Sequence, residues 1–131
     1  MTTDNQNRAG TGKRTLTKAD LRQFTGTETW FRHGLVRSVL YTEGVQYVAE
    51  TAGAYWLLDA IAFAQRGDQR VAGAEFQSWK LRVSADQTAI LICEDGNGGE
   101  LLRTRYDYTD FPLPEISFFF TGGVIMLASE Y

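Results

Sequence analysis

Few side chains in this sequence have the chemistry of a catalyst. The single histidine, His33, lies in the segment WFRHG (30–34), and imidazole is the group best suited to act as a general base near neutral pH. A lone histidine more often caps a backbone segment or faces solvent than it acts in catalysis, so we favour a structural role for His33. The single cysteine, Cys93, ends the apolar run AILIC (89–93), which predicts a core residue and not a nucleophile. No metal-ligand spacing and no phosphate-binding or GxSxG motif is present, so we expect no metal and no cofactor.

Four carboxylates form an alternative catalytic set. Glu94 and Asp95 end one predicted strand, and Asp107 and Asp110 flank a Tyr-Thr pair after the next. If these acids converge on a cleft with His33 as the base, they suit a small hydrolase or nuclease-like enzyme, with or without a divalent ion. The other interpretation is that acids in turns and at strand ends bind backbone amides and water, and we give it more weight.

Asp59 is the unusual carboxylate, because it interrupts the apolar segment AYWLLDAIA (54–62). A helical wheel places it among Val48, Ala52, Trp56 and Phe63, where a charge without a partner would cost several kcal/mol. Either the helix is rotated so that Asp59 reaches solvent, or another group meets it. The candidate partners are two strand cations, an indole N–H and the histidine: Lys80, Arg82, a tryptophan and His33.

The helices that must position these groups have clear start signals. Thr17 predicts the cap of a short N-terminal helix that ends near Phe24, before Gly26. Thr42 predicts the cap of a central helix over about 43–65. Its polar stripe becomes apolar after Gly53, so either the axis breaks there or the second half is buried on all sides.

Strand signals dominate the rest of the chain. Residues 27–41 predict one or two extended pieces around Gly34, and after Gly67 the apolar period changes from 3.6 to 2. Turn residues at 95–99 and 121–123 each connect two strands of a hairpin. We therefore predict an α+β fold, in which a mostly antiparallel meander of four to six strands packs against the central helix and the short N-terminal helix.

Length and composition bound the organisation. The chain has 131 residues, of which 44% are hydrophobic, enough for a single domain over 16–131. Residues 1–15 contain almost no apolar side chain, so we expect a disordered tail. A net charge of −3 gives no support for nucleic-acid binding by the chain as a whole, although it does not exclude a local basic patch. With one cysteine and no long apolar run, we expect a cytoplasmic protein without a membrane segment.

Several segments also carry a resemblance, namely FTGTE (24–28), YTEGVQYVAETAGAYWLLDAIA (41–62), WKL (79–81), CEDGNG (93–98), YTDFPL (108–113) and SEY (129–131). In this order they resemble an uncharacterised family of small proteins found in bacterial chromosomes, plasmids and phages, over roughly residues 20–131. The resemblance carries over no catalytic residue. It implies a context, because accessory proteins of mobile elements often act by binding a host protein.

The function expected from these observations is a non-enzymatic binding module with a protein partner or a second copy of itself. The expected binding residues are aromatic, together with one acid: Trp30, Trp56, Phe118, Phe120 and Asp59. The segment ISFFF (116–120) is unusually apolar for an outer hairpin, which predicts a partner site if the helices leave it uncovered. An ordinary core hairpin is the equal alternative.

Overall fold

The computed structural model describes residues 15–24 and 29–131. Almost all of the expected tail, and Gly26, lie outside the described residues. The helices are α1 (Lys18–Arg22), α2 (Glu43–Ala52), α3 (Tyr55–Gly67) and α4 (Gln69–Ala72), and a final 3-10 turn covers Ala128–Glu130. The strands are β1 (Trp30–Arg32), β2 (Leu40–Thr42), β3 (Phe76–Val83), β4 (Ala89–Glu94), β5 (Glu100–Tyr106), β6 (Glu115–Thr121) and β7 (Val124–Leu127). The α+β class is confirmed.

The helix boundaries follow the capping residues. Thr17 and Asp20 form a reciprocal capping box, because each side chain accepts a hydrogen bond from the backbone N–H of the other, at 3.2 and 3.0 Å. The Thr42 hydroxyl accepts from the Val45 N–H at 3.2 Å and starts α2. Gly53 ends α2 with φ +63°, the left-handed conformation that glycine adopts without strain. Of the two alternatives left open by the sequence, the break at Gly53 is the one observed, and α2 and α3 are separate helices.

The sheet is larger than predicted and is mixed. Its order is β1-β2-β7-β6-β3-β4-β5, seven strands in which only the described pair β2 and β7 runs parallel. The prediction of four to six antiparallel strands was thus roughly right but not exact. The three-residue strands β1 and β2 are too short for a period of 2 to stand out in the sequence, and the pairing of Leu40 with Val124 joins distant parts of the chain.

Helices α2, α3 and α4 pack on one side of the sheet, and the core lies between these helices and the strands. Alternate strand residues such as Trp79, Leu91 and Phe118 are fully buried there, together with Leu57 and Ile61 of α3. We call the opposite side the open face. Its side chains are Trp30, Arg32, Leu40, Phe76, Ser78, Lys80, Arg82, Ile90, Ile92, Glu94, Glu100, Arg103, Arg105, Glu115, Ser117, Phe119, Thr121, Val124 and Met126.

The end of the chain is tied to the start of α2. Glu130 accepts a hydrogen bond from the Thr42 hydroxyl at 2.7 Å and another from the Leu127 N–H at 2.9 Å. A Cβ atom at Gly44 would lie 2.9 Å from the Glu130 carboxylate, so glycine leaves room for it. A negative charge at this end of a helix is favourable. Within residues 15–24 and 29–131, the helices are too short or too polar to cross a bilayer.

Candidate functional site

His33 is the partner of Asp59. The imidazole Nε2 lies 2.8 Å from Asp59 Oδ1, so the contact joins the segment after β1 to α3. The His33 side chain is only 6% exposed, whereas the Asp59 side chain is 50% exposed. The helical wheel therefore overestimated the burial of Asp59, because the break at Gly53 gives α3 an axis of its own. Both the histidine partner and the solvent-facing edge were among the alternatives left open by the sequence.

The hydrogen bonds of the other ring nitrogen indicate the tautomer of His33. Nδ1 accepts hydrogen bonds from the Val36 N–H at 2.9 Å and the Leu35 N–H at 3.2 Å. A nitrogen that accepts cannot carry a proton, so Nε2 holds the hydrogen and donates it to Asp59. Both nitrogens are thus occupied, and neither has a lone pair free to take a proton from a substrate. This arrangement supports the structural role of His33, fastening the β1–β2 turn to α3.

A pocket of about 150 Å³ opens beside this pair. His33, Gly34, Leu35, Tyr41, Tyr55, Leu58 and Asp59 line it. Tyr55 donates its hydroxyl hydrogen to Glu50 Oε1 at 2.7 Å, and Tyr41 stacks on Phe31 with ring centres 5.6 Å apart. Burial, followed by the hydrogen bond and charge of Glu50, raises the pKa of Tyr55 to about 12. Burial and the same carboxylate raise the pKa of Tyr41, so both phenols are neutral at pH 7.

The open face has a second distinctive arrangement. Arg82, Ile90 and Arg105 lie side by side across three strands, and the next row consists of Lys80, Ile92 and Arg103. Two isoleucines are therefore flanked by four cations. Arg103 also binds Glu100 through two hydrogen bonds, at 2.7 and 3.1 Å.

Aromatic side chains occupy another part of the open face. Phe76, Phe119 and Tyr131 contact one another, with ring centres 5.1 to 5.5 Å apart. Met126 is directly opposite Phe119 on the neighbouring strand, and Tyr131 is 72% exposed. The open face therefore combines an aromatic cluster with a row of cations.

The profile of a family of unknown function, DUF6876, matches residues 15–131. The chain belongs to this family. The match covers every helix and strand of the DUF6876 fold described above, which confirms the resemblance to an uncharacterised family. Comparison with curated proteins and with solved structures gives no significant match. Because the DUF6876 description names no activity, any function has to be argued from the side chains themselves.

The four predicted carboxylates of this DUF6876 protein do not share a cleft. Asp95 accepts hydrogen bonds from the Asn97 and Gly99 N–H groups at 2.8 and 2.9 Å, and these bonds lower its pKa. Asp107 follows the other end of β5, so about 20 Å of strand separates it from Asp95. Glu94 lies on the open face, and Asp110 lies in the loop after β5. Among the described residues, no group of three or more His, Cys, Asp or Glu could hold a metal ion.

The four aromatic residues predicted to bind a partner do not share one surface either. Phe118 is 0% exposed and lies opposite Trp79 and Leu127 in the core, so it cannot line a surface. Phe120 is on the same side of the sheet and half-buried, because alternate strand residues share a side. Trp56 is half-buried against Tyr106, with ring centres 5.0 Å apart. Trp30, 53% exposed on edge strand β1, is the one of these four aromatics that the open face carries.

Sequence reasoning missed the extent of the open face. Lys80 and Arg82, two of the cations considered as partners of Asp59, lie on the solvent side of β3. The run AILIC predicted a core position for Cys93, which is confirmed, yet Ile90 and Ile92 are only half-buried and no helix of the described chain covers them. An apolar strand beside alternating cations was the available signal for an unpartnered surface.

Proposed function

We propose that this DUF6876 protein is a non-enzymatic binding module that docks an acidic partner protein on its open face. The observation that carries the proposal is the composition of that face. A solvated side of an antiparallel sheet is ordinarily polar, whereas this one holds Ile90, Ile92, Phe119 and Met126. Aromatic residues, methionine and arginine are the types enriched at the centres of protein interfaces.

The charge of the open face indicates the chemistry of the partner. Five basic and three acidic side chains give it a net charge of +2, while the whole chain has −3. The basic residues are Arg32, Lys80, Arg82, Arg103 and Arg105, and the acidic ones are Glu94, Glu100 and Glu115. A partner surface with carboxylates around an apolar centre is complementary to this pattern. A second copy of the same face would carry the same net charge of +2 and is therefore less complementary.

The aromatic cluster favours a protein over a single-stranded nucleic acid. Bases stack on flat ring faces that are open to solvent. In this cluster Phe76 and Phe119 are half-buried and packed against each other and Tyr131 in tilted or edge-on contacts. The expected cytoplasmic setting and a mobile-element context belong to the same proposal.

The enzymatic alternative has less support. A small hydrolase or nuclease-like enzyme using Asp107, Asp110, Glu94 or Asp95 would need these acids near a free base. Both nitrogens of His33 are engaged, and Asp95 is engaged by two amides of its own turn.

Site-specific photocrosslinking in bacterial cells tests the proposal. A photoreactive amino acid at Ile92 samples the open face, and one at Phe63, on α3, serves as the comparison position. We expect an adduct with an acidic protein from position 92 alone. The adduct is lost in Arg82→Glu/Arg105→Glu and retained in Arg66→Glu/Arg70→Glu, which changes the chain charge equally on the helical side.

Two further results would overturn this assignment. One is an adduct that forms equally from both positions, or that survives Arg82→Glu/Arg105→Glu. The other is a salt-sensitive complex of the purified protein with a poly(dT) oligonucleotide that the same variant abolishes. Sedimentation of the purified protein is expected to show a monomer. A dimer dispersed by Ile92→Glu would identify the open face as a self-association surface.

A further inference from the structure

The pocket beside His33 and Asp59 has a sharply one-sided chemistry. Among the described residues that line it there is no lysine or arginine, while Asp59 contributes a carboxylate and Tyr41 and Tyr55 contribute aromatic rings. Glu50 adds a second negative charge where it accepts the Tyr55 hydroxyl hydrogen. Such a pocket repels anions.

One oxygen of Asp59 is held in place and the other is available. His33 donates to Oδ1, and within the described part of the chain this is the one hydrogen bond of the Asp59 side chain. Because His33 is in its neutral form, it orients the carboxylate without cancelling the charge. Half of the Asp59 side chain is exposed, so a ligand can reach it from solvent.

The aromatic residues select among cations. Weakly hydrated cations bind over the faces of aromatic rings, and ammonium groups on carbon chains are cations of this kind. Ca²⁺ and Mg²⁺ prefer several oxygen ligands from the protein or a phosphate, and the described lining of this pocket supplies a single carboxylate. A volume of about 150 Å³ is smaller than a typical drug-sized site, and it suits a head group on a short alkyl stem.

We propose that this pocket binds an alkylammonium group, with Asp59 as its counter-ion and Tyr41 and Tyr55 as its aromatic walls. The apolar residues Leu35 and Leu58 contact the carbon stem. This site is on the helical side of the sheet and does not depend on the open face. The same ammonium chemistry is present in free amines and in lysine side chains, so the test includes both.

Heteronuclear NMR of the full chain tests the proposal with four probes. These are n-butylammonium, tetramethylammonium, N-acetyl-lysine amide and, as the uncharged control, n-butanol. We expect saturable shifts of the Gly34 and Leu35 amides with ammonium probes and none with butanol. Binding of free amines alone identifies a small-amine site, and binding of the lysine amide as well identifies a site that also accepts a lysine side chain.

Three variants separate charge, cavity and fold. Asp59→Asn keeps an oxygen that can accept from His33 and removes the charge, so affinity should fall about tenfold or more. Gly34→Leu should block binding with all charges present, because Gly34 lines the pocket. The fold should tolerate this change, because a Cβ there meets no atom within 4 Å. Glu75→Gln, an exposed acid outside the pocket, should bind as the parent chain does. Equal shifts with butanol, no shift with any ammonium probe, or unchanged affinity in Asp59→Asn would overturn the proposal.

Discussion

Replacement of His33 by alanine should destabilise the fold through the two amides that its Nδ1 accepts. The Val36 N–H is buried, and leaving it without an acceptor costs about 1–3 kcal/mol. Loss of the half-exposed bond to Asp59 adds about 0.5–1 kcal/mol. The edge-on contact with Phe63, with ring centres 5.7 Å apart, adds about 0.5 kcal/mol. We expect the free energy of unfolding to fall by about 2–4 kcal/mol in total.

A matched variant isolates the role of the amides. In His33→Asn the side-chain oxygen occupies nearly the place of Nδ1 and can accept from the Val36 N–H, while the contact with Asp59 is lost. This variant should lose only about 1–2 kcal/mol. Asp59→Asn, which retains an acceptor for Nε2–H, should lose about 1 kcal/mol or less.

Urea unfolding at pH 7 measures these differences as shifts in midpoint at constant m-value. The reasoning is refuted if His33→Asn loses as much stability as His33→Ala, because the hydrogen bonds to the two amides would then not be the main contribution of His33 to the free energy of unfolding. Imidazole ¹⁵N NMR gives an independent check. A protonated Nδ1 in the native protein at pH 7 would contradict the assigned tautomer.

Three other predictions concern groups elsewhere in the fold. Glu50→Gln should lower the pKa of Tyr55 from about 12 towards the ordinary 10.0, as followed by phenolate absorbance. Because the pKa of Tyr55 is higher in the folded than in the unfolded chain, the parent chain should lose stability as the pH rises from 10 towards 12. Tyr55→Phe should lose less stability over the same pH range. Burial raises the pKa of Cys93 to about 12, so its thiol should stay unlabelled by a disulfide reagent at pH 8 until denaturant unfolds the chain; rapid native labelling would contradict its core position. Gly44→Ala should displace the Glu130 carboxylate and lower the free energy of unfolding by about 1–2 kcal/mol in urea, whereas Gly34→Ala, which meets no atom, should not.

Local signals in the sequence predicted α1, α2 and α3, but not the four-residue helix α4. The caps at Thr17 and Thr42 and the break at Gly53 depend on residues within one helical turn, so no knowledge of the rest of the fold is needed. The hairpin turn at 95–99 is equally local, with positive φ at Gly96 and Gly98.

Long-range arrangement was harder to predict. The position of β2 beside β7 depends on a pairing between distant segments, which a three-residue strand cannot encode in its own pattern. Asp59 shows the same limit within the site. Its four candidate partners followed from chemistry, but the choice of His33 depends on how α3 is oriented after Gly53. The less favoured alternative, in which Asp95 and Asp107 converge, fails because the β4–β5 hairpin puts them at opposite ends of those strands.

The parallel pairing of β2 with β7 also fixes an order of events during synthesis. Strands β1 and β2 have no other described neighbour in the sheet, so they cannot join it until Val124 and Ile125 have been made. At bacterial or eukaryotic elongation rates this delay is on the order of ten seconds after Leu40 is made. Meanwhile β3, β4 and β5 can already pair through short hairpins. We therefore expect β1 and β2 to join the sheet only after β7 is made, so a chaperone would meet these two strands outside the sheet during that interval.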